Sequence, residues 1–238
     1  MHAAPLIWIS LVASVWLGCA IACRYLVGKF RDDVVSDLAW FVSLIYARLV
    51  HRVRIEGREH VPRVEGAAAN GPLVIVSNHT AGVDPMLIQL ACPFEIRWMM
   101  MREMMLPEFS GLWAWLRVIP VEQNGRDSAS LRAALRHLAA GGVLGIFAEG
   151  GIERPAERIM AYLPGVGMLV SKAKARVLPV VIHGTPKCAS AYRGMFTPSR
   201  AVVRFLPVRS FEGSGMGPGE IALELEKQAV RELGWERG

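Results

Sequence analysis

Two residues with acid–base side chains, His79 and Asp84, stand in a short turn between an apolar segment and a helix start, in the stretch VIVSNHTAGVDPM. Gly82 lies between them and allows the loop to fold the carboxylate back onto the imidazole. A carboxylate bonded to one ring nitrogen fixes the tautomer and leaves the other nitrogen to take a proton. The spacing is therefore consistent with a general base, and the alternative is that Asp84 only caps the helix and His79 only ends the strand.

The elements that must position this pair follow from the alternation of apolar runs and helical patterns after residue 50. Such alternation predicts an α/β fold with a mostly parallel mixed sheet flanked by helices. The predicted strands lie within residues 52–57, 72–78, 95–101, 118–122, 143–150, 176–184 and 201–208. The predicted helices lie within residues 34–50, 84–91, 127–142, 165–175 and 219–233. His79 and the AEGG stretch at 148–151 then fall just past the carboxyl ends of two strands, where such sheets place their functional residues.

The amino-terminal segment is apolar enough to enter a membrane. Residues 3–23 carry no charged side chain, and 21 residues suffice to cross a hydrocarbon layer about 30 Å thick. A retained membrane-anchoring helical segment is expected, and the alternatives are a cleaved secretory signal or insertion into one leaflet. Arg24, Lys29 and Arg31 follow the segment, which predicts that the rest of the chain lies on the cytoplasmic side, at the inner membrane if the protein is bacterial.

The domain organisation predicted from these patterns has two parts. Residues 1–50 form the anchor and a second, amphipathic helix, and residues 51–238 form the α/β domain. That second helix has two interpretations, one in which it contacts lipid and one in which it packs on the domain.

Charge and cysteine content narrow the partners. The formal net charge of +6 is compatible with nucleic acid or with an anionic membrane face. The sequence has no zinc-finger spacing, no RNP-like aromatic motif and no Lys/Arg run that would follow a phosphate backbone. Membrane lipid is therefore the expected partner, and nucleic acid is not. The four cysteines form no CxxC pair and suit a reducing compartment without a metal site.

Four blocks of this sequence resemble the glycerolipid acyltransferase family, which includes the 1-acylglycerol-3-phosphate acyltransferases. Asn78, His79 and Asp84 match its NHxxxxD motif. The stretches at 117–135 and 177–185 are similar to its second and fourth blocks, and FAEGG at 147–151 is similar to its FPEGT block. The blocks occur in the family order and cover roughly residues 72 to 186.

The resemblance implies transfer of a fatty acyl group from acyl-CoA or acyl carrier protein to the hydroxyl of a lysophospholipid such as 1-acylglycerol 3-phosphate. His79 would deprotonate that hydroxyl and Asp84 would support it, in agreement with the local pattern. The thioester is a cosubstrate, so the resemblance implies no cofactor.

Departures from the family pattern affect the acceptor site. Ala148, Gly151 and Ile152 stand where Pro, Thr and Arg are common in the third block. An acceptor phosphate needs cations or backbone amides. Arg126 and Arg154 are the candidates, each against the alternative of a solvated surface charge.

The remaining residues of the third block have their own predicted roles. Glu149 is assigned to bonding a substrate hydroxyl or to positioning an arginine and the loop amides. Gly150 and Gly151 permit close backbone approach to substrate, with an ordinary turn as the alternative.

Three further alternatives remain open at this point. A noncatalytic lipid-binding or scaffold protein would keep the fold without the chemistry. The same chemistry would also serve another acceptor, such as glycerol phosphate, a lyso-aminolipid or a glycolipid. The Met- and Trp-rich stretch at 104–118 is expected to be core, with an acyl-chain groove as the alternative.

Overall fold

The computed structural model describes residues 33–63, 71–122, 128–188 and 190–238. The boundary between two compact units of the chain falls between Ile45 and Tyr46. Helix α1 (Val34–Leu49) runs across that boundary and confirms the predicted amphipathic helix. Its predicted apolar positions are exposed: Val34, Leu38, Phe41, Val42, Ile45 and Leu49.

The second unit is built on a seven-stranded sheet, which confirms the prediction of a mostly parallel mixed sheet. Its strands, in spatial order, are β1 (Arg54–Glu56), β8 (Val202–Phe205), β7 (Arg176–His183), β2 (Leu73–Ser77), β5 (Val143–Phe147), β3 (Ile96–Met101) and β4 (Ile119–Val121). The five strands from β7 to β4 pair in parallel, whereas β8 pairs antiparallel with β7. Strands β6 (Arg158–Ile159) and β9 (Glu236–Arg237) form a separate parallel pair.

Helices flank this sheet. They are α2 (Asp84–Ala91), α3 (Ser110–Trp115), α4 (Ser128–Ala139), α5 (Pro164–Ala173), α6 (Ala191–Phe196) and α7 (Pro218–Leu233), with 3₁₀ turns at Arg58–His60, Arg102–Met104 and Pro107–Phe109. Proline in the first turn of α2, α5 and α7 suits a helix start because it lacks only an amide that has no partner there. The core lies between the sheet and these helices and includes Val74, Leu144, Leu138, Leu169, Ile221 and Leu225.

The prediction that the Met- and Trp-rich stretch at 104–118 belongs to the core is wrong. Neither the 3₁₀ turns of this stretch nor α3 contains a buried residue, and Phe109 and Leu112 are 44% and 43% exposed.

Among the described residues, no helix is long and apolar enough to cross a bilayer. The anchor predicted at residues 3–23 lies outside them.

Candidate active site

Strands β2 and β5 are hydrogen-bonded neighbours, and their register brings the two main sequence blocks to one edge. Ser77 lies opposite Phe147 at the carboxyl ends of the pair. The segments that follow are tied together, since the Ala148 amide donates to the Ser77 carbonyl at 3.1 Å and the Glu153 amide donates to the His79 carbonyl at 2.8 Å. The loop that carries His79 and the loop that carries Glu149 therefore form one surface.

His79 and Asp84 are in direct contact. The Nδ1 atom of His79 lies 2.9 Å from Oδ2 of Asp84, whose side chain is fully buried. The same carboxylate oxygen accepts the backbone amides of Thr80 at 2.7 Å and Ala81 at 2.9 Å. Because Nδ1 is bonded to Asp84, Nε2 is the ring nitrogen available for acid–base chemistry. The His79 side chain is 15% exposed.

The alternative in which Asp84 only caps the helix is wrong. The N-cap of α2 is Val83, which makes no side-chain cap, and Asp84 is already helical. Its carboxylate turns back to bond the amides of the preceding loop rather than those of the helix. The loop offers two amides, a hydroxyl and the imidazole, which together satisfy the buried carboxylate better than one helix amide would.

Two threonines extend the Asp84 network. The Thr80 hydroxyl lies 3.1 Å and 3.2 Å from the two carboxylate oxygens of Asp84. It also lies 2.5 Å from the hydroxyl of Thr185, in the segment after β7. Since one hydroxyl proton cannot serve both partners, Thr80 donates to Asp84 and Thr185 donates to Thr80. The sequence pattern did not identify either threonine.

Asn78 has a structural role that the motif alone did not show. Its side-chain amide donates to the carbonyl of Ile182 and its side-chain oxygen accepts the Ile182 amide, both at 2.9 Å. The carboxamide thus continues the ladder between β2 and β7 beyond the end of β2. This bond holds the start of the His79 loop against a central strand.

An aromatic stack supports the imidazole from one face. The rings of His79 and Phe147 lie 4.0 Å apart at 15°, and Phe147 and Trp98 lie 4.9 Å apart at 12°. Trp98 pairs with Gly145 in the sheet, and a Cβ atom at 145 would lie 2.5 Å from its ring. The glycine within an apolar strand was the available signal for this close approach.

Glu149 supports the histidine loop from the other strand. Its Oε2 accepts the backbone amide of His79 at 3.2 Å, and the residue is 4% exposed. Burial raises the pKa of this carboxyl to about 8, with a smaller upward effect from Glu153. Two roles were predicted for Glu149, bonding a substrate hydroxyl or positioning an arginine and loop amides. The structure shows a contact of Glu149 with a loop amide, that of His79.

Of the remaining predicted residues, the structure describes Arg154, Gly150 and Gly151. The Arg154 guanidinium donates to the carbonyls of Glu153 at 2.6 Å and Cys188 at 3.0 Å. Gly150 has a φ of 73°, a conformation that favours glycine, and space around Gly151 is open. Arg126 is not among the described residues. Within the described ranges, no group of three or more His, Cys, Asp or Glu side chains is arranged to hold a metal ion.

A family model for acyltransferases matches residues 52–183 of this chain, which is more than half of it. The chain belongs to the acyltransferase family. The resemblance to glycerolipid acyltransferases is thereby confirmed, and the protein is an acyltransferase enzyme. No curated protein matches the sequence.

A solved structure shows the same fold. It is the crystal structure of PlsC, the 1-acyl-sn-glycerophosphate acyltransferase of Thermotoga maritima, with a TM-score of 0.65 and 19% identity. The match covers 96% of this chain and 92% of that one. At this identity the likeness concerns the fold, a mostly parallel sheet flanked by helices.

Gly82 is predicted to be essential for the geometry of the His79–Asp84 pair. A Cβ atom at 82 would lie 2.4 Å from the carbonyl oxygen of Ala191 at the start of α6, so the loop must move. Gly82→Ala is expected to lower kcat for acyl transfer by about 100-fold, because small misplacements of catalytic groups have effects of this size.

The matched control lies on the other side of the same contact. A Cβ atom at Gly194 of α6 would lie 3.7 Å from the Cβ atom of Ala81, an ordinary contact. Gly194→Ala should retain nearly full kcat. Equal activity of the two variants would contradict the proposed constraint on the loop.

The raised pKa of Glu149 predicts how stability changes with pH. Between the ordinary value near 4.5 and about 8, the folded state holds a proton that the unfolded state releases, so stability falls as pH rises through this window. Glu149→Gln cannot ionise, and its carbonyl can still accept the His79 amide. When the pH is raised from 6 to 9, the Tm of the wild type is expected to fall further than that of Glu149→Gln. The difference between the two falls should be at least about 2–4 °C, which corresponds to about 1 kcal/mol.

The control for this prediction is Glu108→Gln, which changes an exposed carboxylate and should follow the wild type. If the Tm of the wild type and that of Glu149→Gln change in parallel with pH, the role of the Glu149 carboxyl is refuted.

Proposed function

We propose that this acyltransferase moves a fatty acyl group from acyl-CoA or acyl carrier protein to the hydroxyl of a lysophospholipid such as 1-acylglycerol 3-phosphate. The observation that carries the proposal is the 2.9 Å contact between His79 Nδ1 and the buried Asp84 carboxylate. This contact orients the ring and leaves Nε2 for a substrate proton. The reaction then belongs to phospholipid synthesis.

In the proposed reaction the acyl group passes directly from the thioester to the acceptor hydroxyl, without an acyl-enzyme intermediate. Nε2 of His79 takes the proton of the acceptor hydroxyl while its oxygen forms a bond to the thioester carbonyl carbon. The tetrahedral intermediate collapses, the C–S bond breaks, and the imidazolium returns its proton to the departing thiolate. Asp84 stabilises the imidazolium between these steps. No enzyme nucleophile is required, and Ser77 lies buried within the sheet.

The acceptor assignment is supported by the family and by the fold shared with PlsC of Thermotoga maritima, which is a 1-acyl-sn-glycerophosphate acyltransferase. In this proposal a phosphate on the acceptor is bound by Arg154, with Arg126 as a second candidate. The amides of Gly150 and Gly151 allow close approach of the same group, since neither residue has a side chain in the way.

We further propose that the protein works at a membrane surface on the cytoplasmic side, with membrane lipid as its partner. The support is α1, which exposes a row of large apolar side chains: Val34, Val35, Leu38, Phe41, Val42, Ile45 and Leu49. Apolar side chains on one side of a helix are typical of helices that lie in the lipid interface. A lysophospholipid acceptor resides in the same layer.

Replacement of the proposed base tests the reaction. His79→Ala is expected to lower kcat by at least 10²–10⁴-fold, the usual contribution of general base catalysis. The measurement is release of free thiol from acyl-CoA with a lysophospholipid panel, with the product identified by mass. An unchanged Tm would show that the fold is intact, and comparable turnover by His79→Ala would exclude this histidine as the base.

Membrane attachment through α1 is tested by a charge on its apolar face. Leu38→Glu is expected to weaken cosedimentation with vesicles of anionic and zwitterionic phospholipids by about tenfold, the effect of removing one leucine from a lipid contact. The control is Leu223→Glu, a partly exposed leucine on α7 of the catalytic unit. Equal vesicle binding by both variants and the wild type would place the attachment elsewhere.

A further inference from the structure

A cavity of about 250 Å³ opens beside the His79 loop. Thr80 and Thr185, the two threonines of the Asp84 network, form part of its wall, and the remaining wall includes Glu153, Arg154, Glu157 and Lys187. Pockets for drug-sized ligands measure about 300–1,000 Å³. This cavity therefore suits a small polar group rather than an acyl chain, and it begins one residue from the proposed base.

Glu153 is the unusual member of this wall. It is 3% exposed, and its Oε1 accepts the Glu157 amide at 2.8 Å. Its Oε2 has no hydrogen-bond partner among the described residues. That oxygen is covered, and the residue that carries it lines the cavity. A buried carboxylate oxygen without a donor is rare in folded proteins and indicates a missing partner.

The cations of the cavity already have partners. Lys187 Nζ lies 2.8 Å from Glu157, and the Arg154 guanidinium donates to two backbone carbonyls. The segment before Glu153 adds no cation, because Gly151 and Ile152 stand there. Glu153 is thus the carboxylate of this wall with an oxygen that no described donor reaches, although the nearby Arg154 charge acts on it.

An ammonium group meets these requirements better than a hydroxyl or a metal ion. A hydroxyl would donate one hydrogen bond and leave the buried charge uncompensated, whereas an ammonium supplies a positive charge and three donors. The hydroxyls of Thr80 and Thr185 line the same cavity and offer further oxygen acceptors. The part of the chain that the structure describes offers no group of three metal ligands.

We propose that this cavity binds the primary ammonium group of a zwitterionic lysolipid headgroup, with the Glu153 carboxylate as its counter-ion. The inference rests on the proposed function and specifies its acceptor class, a lysophospholipid that carries an amine beyond its phosphate. Arg154 and Lys187 line the same cavity.

The charged surroundings of Glu153 predict the pH dependence of this binding. Burial raises the pKa of the Glu153 carboxyl to about 7; nearby Asp84 and Glu157 raise it further, and Arg154 opposes them. Glu149 also faces this carboxyl, and Lys187 lies on the cavity wall. Below pH 7 the carboxyl is mostly protonated and lacks the charge that holds an ammonium. Affinity for an amine should therefore fall as the pH drops below about 7.

The test compares two acceptors with the full-length enzyme. Glu153→Gln keeps the acceptor for the Glu157 amide but removes the charge. It is expected to raise KM for lysophosphatidylethanolamine at least tenfold and to change KM for 1-acylglycerol 3-phosphate less than twofold. Glu212→Gln is the control, since it removes an exposed carboxylate that does not line the cavity, and it should change either KM less than twofold. Equal effects of Glu153→Gln on both acceptors, or none, would overturn the proposal.

A binding measurement keeps the inference testable if Glu153→Gln fails to fold. Calorimetry with the wild type and glycerophosphoethanolamine should show binding at pH 8 that weakens at least fivefold at pH 6, whereas glycerol 3-phosphate should not show this loss. The same affinity at both pH values would refute the ammonium site. If no acceptor is acylated, the proposed function fails while calorimetry still decides on the site. If all acceptors are acylated alike, only this inference fails.

Discussion

The buried negative charge of Asp84 is the constraint on which the candidate site depends. A carboxylate without solvent must receive hydrogen bonds, and the donors come from the loop just before it: the amides of Thr80 and Ala81, the Thr80 hydroxyl and the imidazole of His79. The loop therefore has to close around the carboxylate for the chain to fold. Closing it places the imidazole with Nδ1 inward and Nε2 outward, so stability and acid–base geometry have the same cause.

Residues at the ends of the parallel strands hold the His79 loop in place. Asn78 continues the ladder to β7, and Phe147 at the end of β5 stacks on the imidazole. The backbone at Gly82 lies so close to the start of α6 that no side chain fits there. The histidine is thus held by a strand end, a ring and a helix start, which are all fixed elements. Catalytic groups need such preorganisation, because a misplaced base loses most of its effect.

Much of this arrangement was predictable from local patterns. Strands buried on both faces read as continuous apolar runs, so LVIVS and VLGIF identified β2 and β5 and placed His79 and Glu149 at their ends. The sequence left two directions open for the Asp84 side chain, onto His79 or onto the helix amides, because an aspartate before a proline gives the same signal in both cases. Trp98 was missed because its role depends on a neighbour, Gly145, that is distant in sequence. The exposure of the Met- and Trp-rich stretch was missed because such composition fits a core equally well.

Two of the three acid groups beside the histidine carry less negative charge near neutral pH than an ordinary carboxylate. Asp84, Glu149 and Glu153 share the edge beside the histidine. Asp84 bonds to two amides, a hydroxyl and the imidazole, whereas Glu149 accepts the His79 amide and Glu153 the Glu157 amide. Burial raises the pKa of Glu149 to about 8 and that of Glu153 to about 7, so near neutral pH much of their charge is suppressed. Asp84 is the carboxylate of this group that contacts the imidazole, at 2.9 Å. At the proposed ammonium site, a bound cation would favour the ionised form of Glu153, so that binding of the cation and loss of this proton are linked.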